Sequence, residues 1–199
     1  AIDFNDCINT EKVTDMSDMF YYCSALTSLD LSAFNTEKVT DMSYMFNRCS
    51  TLTSLDLSSF NTQKVLYMGS MFSNCYALTS LNLSSFNTAN VRSMWAMFFN
   101  CYALTSLDLS QFNTANVTDM MAMFFKCRAL TSLDIRNFDI GKVTTISSIF
   151  ASVGNQAGTG SKTPIKVTSA LHTALKDKGV SLGDYAEYFI VDIVDVYPM

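Results

Sequence analysis

The sequence predicts an α/β fold in which repeats of 26 residues stack into a solenoid. The prediction rests on three observations: a recurring phrase, a strand-like half of each phrase, and a helix-like half. The phrase recurs without insertion from about residue 9 to residue 153. Its register shows in columns of identical residues, for example Phe34, Phe60, Phe86, Phe112 and Phe138. Each repeat of such a chain contacts its neighbours, and one continuous core runs along the stack.

The first half of each repeat is predicted to be a strand. In "LTSLDLSAFN", Leu29 and Leu31 alternate with Ser28, Asp30 and Ser32, which is a period of two residues. Placed side by side, these strands would make a parallel sheet on one side of the solenoid, with one face turned to the core.

The second half, "VTDMSYMFNRC", is predicted to begin with a short extended piece and to continue as a helical turn. Met42, Met45, Phe46 and Cys49 stand at i, i+3, i+4 and i+7, the spacing of one helical stripe. Asp41 is a candidate N-cap. Because about nine residues cannot hold both a long helix and a tight return, short helical turns are expected opposite the sheet.

Three segments follow from the extent of the repeats. Residues 1–153 are predicted to form the repeat domain, with five to six repeats. Residues 154–163, "GNQAGTGSKT", have the composition of a connector loop, and Ser161 separates Gly160 from Lys162, where a phosphate-binding loop needs them adjacent. Residues 164–199 are predicted to be a capping segment, because a solenoid needs its last open face covered.

The capping segment is predicted to contain three elements. "PIKV" favours a strand, and "TSALHTALKDKG" favours a helix with Thr168 or Ser169 as its cap and Gly179 as its stop. "DYAEYFIVDIVDV" alternates apolar and acidic residues towards its end, which suits a strand or an extended edge.

Charge and composition exclude several function classes. A net charge of −5 and a pI near 4.7 argue against nucleic-acid binding, which needs a basic surface. No apolar run reaches the length of a membrane span. His172 is the single histidine and has no evident catalytic partner, so no catalytic, metal-binding or cofactor-binding set can be assembled. The sequence predicts a protein that is not an enzyme and carries no cofactor.

Two polar columns have structural interpretations. Five of the six cysteines share one repeat position, and the next member of that column is Val153, which can neither form a disulfide nor bind a metal. Buried reduced thiols are therefore predicted, while Cys7 lies outside the column. A second column is predicted to bond backbone groups in a turn. It consists of Asn9, Asn35, Asn61, Asn87, Asn113 and Asp139.

An acidic column on the predicted strands is a secondary candidate site. Its members are Asp30, Asp56, Asp108 and Asp134, with Asn82 between the second and the third. Neighbouring strands would place these side chains about 4.8 Å apart, where like charges repel unless they are compensated. The column is either a dock for a cation or a basic partner, or a solvated face. It has no motif of a calcium loop, so no metal is predicted.

The main candidate site lies where the repeat is not obeyed. Trp95, Phe99 and Tyr102 replace small or polar residues of the second repeat, and their spacing places them on one helical face. Stacking would gather them into a flank patch whose rim holds two arginines. The predicted patch comprises Tyr76, Trp95, Phe99, Tyr102, Met121 and Phe125, with Arg92 and Arg128 at the rim. The alternative is that these rings fill the groove between neighbouring turns.

The repeated phrase "LTSLDLSAFNTEKVTDMSYMFNRCS" resembles the repeat of BspA-like bacterial leucine-rich-repeat surface proteins. The shared elements are V-T-x-M-x-x-M-F-x-x-C and L-T-S-L-D-L-S-x-F-N-T, and they cover about 150 of the 199 residues. The resemblance implies a right-handed leucine-rich-repeat solenoid with a parallel sheet on one side, short helical turns on the other and a C-terminal strand-helix cap. It also implies a place at the bacterial cell surface or outside the cell, in some relatives as a lipoprotein.

The same resemblance implies adhesion to a protein, either a host matrix protein or another cell-surface protein. The leading hypothesis from the sequence is a non-enzymatic binding module that displays variable residues on a rigid scaffold. Two alternatives stay open, because a shared scaffold does not transfer a ligand. One is a carbohydrate-binding module with Tyr76, Trp95 and Tyr102 as stacking platforms, and the other is a structural spacer of a larger surface protein.

Overall fold

The computed structural model describes residues 8–154, 163–180 and 189–192. Four regular elements occur in these residues, all in the last third of the chain: β1 (Leu133–Asp134), β2 (Ile165–Thr168), α1 (Ser169–Asp177) and β3 (Phe189–Asp192). The three strands form one parallel sheet in the order β1-β2-β3. Turns and isolated parallel bridges make up the repeats themselves.

Consecutive repeats are joined in their second halves, for example at residues 39–49. A column of parallel bridges runs through positions spaced by 26 residues: Asp15, Asp41, Tyr67, Ser93, Asp119 and Thr145. Beyond the bridge, every second amide of one repeat donates to a carbonyl of the next. Thus Tyr44 N donates to Gly69 O at 2.9 Å, and Phe46 N donates to Met71 O at 2.9 Å. The backbone itself therefore fixes the 26-residue register.

The helical turn predicted for this half does not form. The amides between the cross-repeat donors bond three residues back, as Asn47 N does to Tyr44 O at 2.8 Å, so an i to i−4 ladder cannot develop. This alternation requires a positive φ at every fourth residue, which non-glycine residues adopt at a cost of about 1 kcal/mol each. Twelve such residues occur: Asp18, Tyr22, Tyr44, Arg48, Ser70, Asn74, Ala96, Asn100, Ala122, Lys126, Ser148 and Ser152. Asp41 accepts from Ser43 N in a local turn, and caps no helix.

The burial predicted from the helical stripe is nevertheless confirmed. Met42, Met45, Phe46 and Cys49 are all fully buried, because successive three-residue turns also bring i, i+3, i+4 and i+7 to one side. A stack of parallel phenylalanine rings runs through this core, with centroids 5.5–6.3 Å apart and planes within 7° of each other. Its members are Phe20, Phe46, Phe72, Phe98, Phe124 and Phe150.

The first halves differ from the predicted continuous sheet. Leucines and polar residues alternate between buried and exposed as expected, as at Leu29, Asp30 and Leu31. In the described residues, however, β1 is the one regular strand among these halves, and cross-repeat amide bonds occur at a threonine, such as Thr79 N to Thr53 O at 3.2 Å. The backbone hydrogen bonds between consecutive repeats are made mainly in the second halves instead. The right-handed leucine-rich-repeat solenoid stays a prediction.

A buried threonine clamp ties each first half to the next repeat. Thr62 is fully buried, and its hydroxyl donates to Asn87 O at 3.0 Å while accepting from Asn87 N at 2.7 Å. One side chain thus satisfies both backbone groups of the residue that opens the next turn. The same clamp joins Thr10 to Asn35, Thr36 to Asn61, Thr88 to Asn113 and Thr114 to Asp139. The predicted role of the asparagine column is also confirmed, since Asn87 Oδ1 accepts from Ala89 N.

The strand and the helix predicted for the capping segment are confirmed. β2 pairs with β1 through Leu133 opposite Ile165, and α1 has Thr168 as its N-cap, whose hydroxyl accepts from Leu171 N. Gly179 follows the helix with a φ of 70°, as expected of a stop. The connector prediction for 154–163 lies outside the described residues except at its two ends, and the domain boundaries stay predictions.

The cysteine column consists of free thiols packed in the core. Cys49, Cys75, Cys101 and Cys127 are fully buried, Cys23 is half-buried, and Cys7 lies outside the described residues. Each buried thiol donates to the carbonyl of a core phenylalanine 29 residues earlier, as Cys75 Sγ does to Phe46 O at 3.1 Å. Burial raises the pKa of Cys49 and of Cys127 to about 12. Thiolates are therefore scarce at neutral pH, which makes these groups inert.

Alkylation of the native protein is expected to spare these four buried thiols. At pH 8 with iodoacetamide, Cys49, Cys75, Cys101 and Cys127 should react at least about tenfold more slowly than in urea, because both burial and the raised pKa suppress the thiolate. Peptide mass spectrometry after timed quenching measures each site, with half-buried Cys23 as the internal comparison. Disulfide-linked peptides from unreduced protein would contradict the assignment.

Candidate functional site

An open groove of about 310 Å³ lies on the side of the stack formed by the second halves of the repeats. Aromatic and apolar residues stand at its two ends, and small or polar residues form its floor. We call it the aromatic groove. It is lined by Tyr21, Tyr44, Asn47, Arg48, Ser70, Ser73, Asn74, Trp95, Ala96, Phe99, Met121 and Ala122. Its volume falls within the range of ligand pockets.

Trp95 is the groove's most constrained residue. Its indole lies over Gly69, the residue at the same position of the preceding repeat: a Cβ on Gly69 would come within 2.5 Å of Trp95 Cδ1. The ring then reaches Tyr44 in the repeat before that, edge to face, with centroids 5.6 Å apart and an interplanar angle of 76°. A glycine in one repeat thus makes room for the tryptophan of the next, and the indole spans two repeats.

The floor of the groove is polar and buried. Asn47, Ser70 and Ser73 are 6%, 2% and 3% exposed. Asn74 Nδ2 donates to Ser73 Oγ at 2.9 Å, and Asn74 Oδ1 accepts from Asn100 Nδ2 at 2.8 Å. Large side chains occupy the position of Ser73 in the two following repeats, where Phe99 and Phe125 stack with centroids 4.8 Å apart. The groove exists because that aromatic column stops at Ser73.

A second aromatic feature lies outside the groove. Tyr76 and Tyr102 stack with centroids 5.1 Å apart, and the Arg128 guanidinium lies 5.0 Å from the centre of the Tyr102 ring. We call this column the tyrosine ridge. Cation–π contact of this kind contributes about 0.5–1 kcal/mol at exposed sites. It holds Arg128 against the ring.

The structure therefore divides the predicted flank patch into two parts. Trp95, Phe99 and Met121 line the groove, while Tyr76, Tyr102 and Arg128 form the ridge. The predicted alternative is also partly realised, because Phe125 stacks on Phe99 and Trp95 packs against Tyr44. Arg92 is exposed and is not among the residues that line the groove.

Sequence reasoning missed most of the groove's N-terminal wall and floor. Tyr21, Tyr44 and Arg48 belong to the earlier repeats, far along the chain from the cluster around Trp95. One signal was available: Gly69 interrupts a column that otherwise holds Ser17, Ser43, Trp95, Met121 and Ser147. A glycine immediately before the bulkiest member of a column indicates that the two share space.

The acidic column has a structural role in the described residues. Asp30, Asp56, Asn82, Asp108 and Asp134 each accept from the amide two residues later, as in Ser110 N to Asp108 Oδ1 at 2.9 Å. The bond from the Ser110 backbone amide lowers the pKa of Asp108, and the Ser110 hydroxyl lowers it further. Asp134 also forms an ion pair with Arg136 at 2.8 Å. Each carboxylate thus closes a local turn, as the amide of Asn82 does.

Exchange of Asp56 and Asp108 for asparagine is expected to flatten the acid limb of the stability curve. Both carboxyls have a pKa below the ordinary value of 3.8 in the folded chain, so their contribution to stability is complete above that value and is lost as pH falls through it towards the lowered folded-state pKa. Asparagine keeps the turn bond, as Asn82 shows, but not the charge that strengthens it, so the variant should be slightly less stable than the wild type at pH 7 and nearly equal to it at pH 3. Urea unfolding at pH 7 and pH 3 measures the difference. An unchanged drop between the two pH values would contradict it.

Comparison with known proteins gives one match. A family model described as "Mycoplasma protein of unknown function, DUF285" matches residues 3–106 and 77–163. The chain belongs to the DUF285 family. This membership is consistent with the resemblance to BspA-like repeat proteins. Searches of curated proteins and of solved structures gave no match.

The family match covers the groove, the ridge and the clamp of this DUF285 chain, all of which lie between residues 10 and 139. The description of DUF285 names no activity, so function must be argued from the site itself. None of the helices in the described ranges is both long and apolar enough to cross a bilayer.

Proposed function

We propose that this DUF285 chain is a non-enzymatic binding module of the bacterial surface or exterior, built on a right-handed leucine-rich-repeat solenoid, and that it holds a protein partner at the aromatic groove. One observation carries this proposal: the column in which Phe99 and Phe125 stack stops at Ser73, which leaves an open groove beside the paired rings of Tyr44 and Trp95. Tyrosine, tryptophan and arginine are the residues that dominate binding energy at protein interfaces.

Rigidity supports this role. The residues that line the groove come from five consecutive repeats, whose amides and carbonyls are bonded to one another, so little conformational freedom is lost when a partner binds. Trp95 is fixed by Gly69 and Tyr44 before any partner arrives. The tyrosine ridge, on the same flank as the groove, offers a second aromatic surface, and Arg128 lies at its end.

Filling the groove tests the proposal without dismantling the fold. The variant Ser73→Phe continues the stack that Phe99 and Phe125 already form, so the chain offers its own precedent for a ring at this position. Wild type and variant are measured by biolayer interferometry against purified matrix and bacterial surface proteins, and on a glycan array. The matched control is Ser84→Phe, on the exposed face of a first half.

The proposal expects at least one protein to bind wild type and Ser84→Phe equally, and Ser73→Phe at least tenfold more weakly. Equal binding by Ser73→Phe would show that the groove is not the site. Glycan binding that is lost in Ser73→Phe, with no protein bound, would replace the protein partner by a carbohydrate. Protease shaving of intact cells tests the surface location.

A further inference from the structure

The floor of the aromatic groove holds polar side chains whose hydrogen-bonding capacity is partly unused. Ser70 is 2% exposed and lines the groove, yet its hydroxyl bonds to no group in the described chain. The amide nitrogen of Asn47, a residue only 6% exposed, likewise donates to nothing in the described residues. In the described residues, the fully buried side-chain atom without a partner is Asn100 Oδ1, so the unused groups of Ser70 and Asn47 are accessible from the open groove and can bond to a ligand there.

These unused groups are mainly donors. Ser73 Oγ already accepts from Asn74 Nδ2, which leaves its proton to donate, and Asn47 Oδ1 already accepts from Asn74 while its amide protons stay unspent. Asn74 Oδ1 accepts from both Asn100 and Tyr76. A ligand that satisfies the floor must therefore present acceptors, such as carboxylate or carbonyl oxygens.

The charge of the groove points the same way. Arg48 is exposed at the groove, its guanidinium 5.5 Å from the centre of the Tyr22 ring, and it forms no ion pair in the described residues. No carboxylate lines the groove, although the whole chain has a net charge of −5. The residues lining the groove thus carry one cation on an otherwise acidic protein, which selects an anionic partner by charge complementarity.

We propose that the aromatic groove binds an acidic peptide segment of a protein partner, with an apolar side chain packed against the Tyr44–Trp95 pair and an adjacent carboxylate facing Arg48 and the donors of Asn47, Ser70 and Ser73. The aromatic walls bury the apolar side chain, and the peptide's own carbonyls and carboxylate supply acceptors to the floor. A neutral sugar fits less well, because its hydroxyls need acceptors as well as donors and the lining offers no carboxylate. The inference rests on the proposed function and names the chemistry of the partner.

A displayed library of random seven-residue peptides, selected on the full chain, tests the inference. Enriched sequences are synthesised with blocked ends and titrated against the intrinsic fluorescence of Trp95, which is the only tryptophan in the chain. Each peptide is repeated with its acids changed to amides, and with its apolar residue changed to alanine. Two charge variants are compared, Arg48→Gln at the groove and Arg92→Gln as the exposed control away from it.

The inference expects enriched peptides that place an aspartate or glutamate within three positions of an aromatic or aliphatic residue. Their amide versions and the Arg48→Gln variant should each bind about tenfold more weakly, the loss expected for a charge-assisted hydrogen bond, while Arg92→Gln binds unchanged. Binding should also weaken as salt rises, and Ser73→Phe should abolish it.

Three outcomes would overturn the inference: enrichment of basic or uncharged peptides, a selection without any groove-dependent clone, or quenching of Trp95 by saccharides alone. Failure of the proposed function shows differently. If protein partners need the open groove but not acidic residues, the inference fails and the proposed function stands. If acidic peptides bind while no protein partner is affected by Ser73→Phe, the proposed function fails.

Discussion

Replacing Thr62 with valine is expected to lower the free energy of unfolding by about 2–4 kcal/mol, because two backbone groups lose their partner at once. The Thr62 hydroxyl both donates to Asn87 O and accepts from Asn87 N. Valine has nearly the same shape, so packing is kept while the amide and the carbonyl of Asn87 face a methyl group in place of their hydrogen-bonding partner. Urea unfolding followed by circular dichroism measures the loss.

Serine at the same position distinguishes the contribution of the hydroxyl to stability from that of the methyl group. Thr62→Ser keeps both bonds and removes one methyl, so it should cost about 0.8 kcal/mol. A matching pair at Thr88, which clamps Asn113 in the same way, should repeat the pattern in the next repeat. If the valine variants proved as stable as the serine variants, the clamp would not hold the repeats together.

The core could be predicted from the sequence because the positions that stay apolar in every repeat are the buried ones. Met42, Met45, Phe46 and Cys49 recur in register, and a residue that must pack against its own copy above and below is kept apolar whatever the backbone does. The cysteine column followed from the same logic, since Val153 continues it with equal burial.

The backbone could not be predicted, because two conformations share one side-chain pattern. The spacing i, i+3, i+4 and i+7 fits a helix, but it also fits successive turns whose alternate amides bond to the next repeat. The choice between them depends on partners 25 residues away, such as Gly69 O for Tyr44 N. It also depends on whether Tyr44 and Arg48 can adopt a positive φ. Hydrophobic periodicity carries no information about backbone angles.

The candidate site was predictable only in part for a similar reason. Trp95 and Phe99 stood out because they break the repeat, but Tyr44 becomes their neighbour only through stacking across two repeats. Asn47 and Ser73, which are nearly covered and keep unused donors, look like ordinary polar surface in the sequence. Their unused bonds appear only when the bonding of every neighbouring group is known, and that feature indicates what the groove binds.

Gly69→Ser is expected to lower the free energy of unfolding by about 1–3 kcal/mol and to displace the indole of Trp95 from its position over residue 69. Serine occupies this position in three other repeats, so the backbone accepts it, and the whole effect comes from the clash between the new Cβ and Trp95. The displaced indole would lose its edge-to-face contact with Tyr44. Tryptophan emission should shift to longer wavelength, and quenching by acrylamide should increase.

The double variant Gly69→Ser with Trp95→Ser decides whether the two residues are matched. Serine at both positions restores the combination of the other repeats and removes the clash, so the double variant should be more stable than the sum of the single changes by about 1–2 kcal/mol. Additive effects, or unchanged Trp95 emission in Gly69→Ser, would show that the indole does not depend on the glycine. A measured coupling would mean that Gly69 is kept small to hold Trp95 across two repeats, which is the arrangement that forms the wall of the groove.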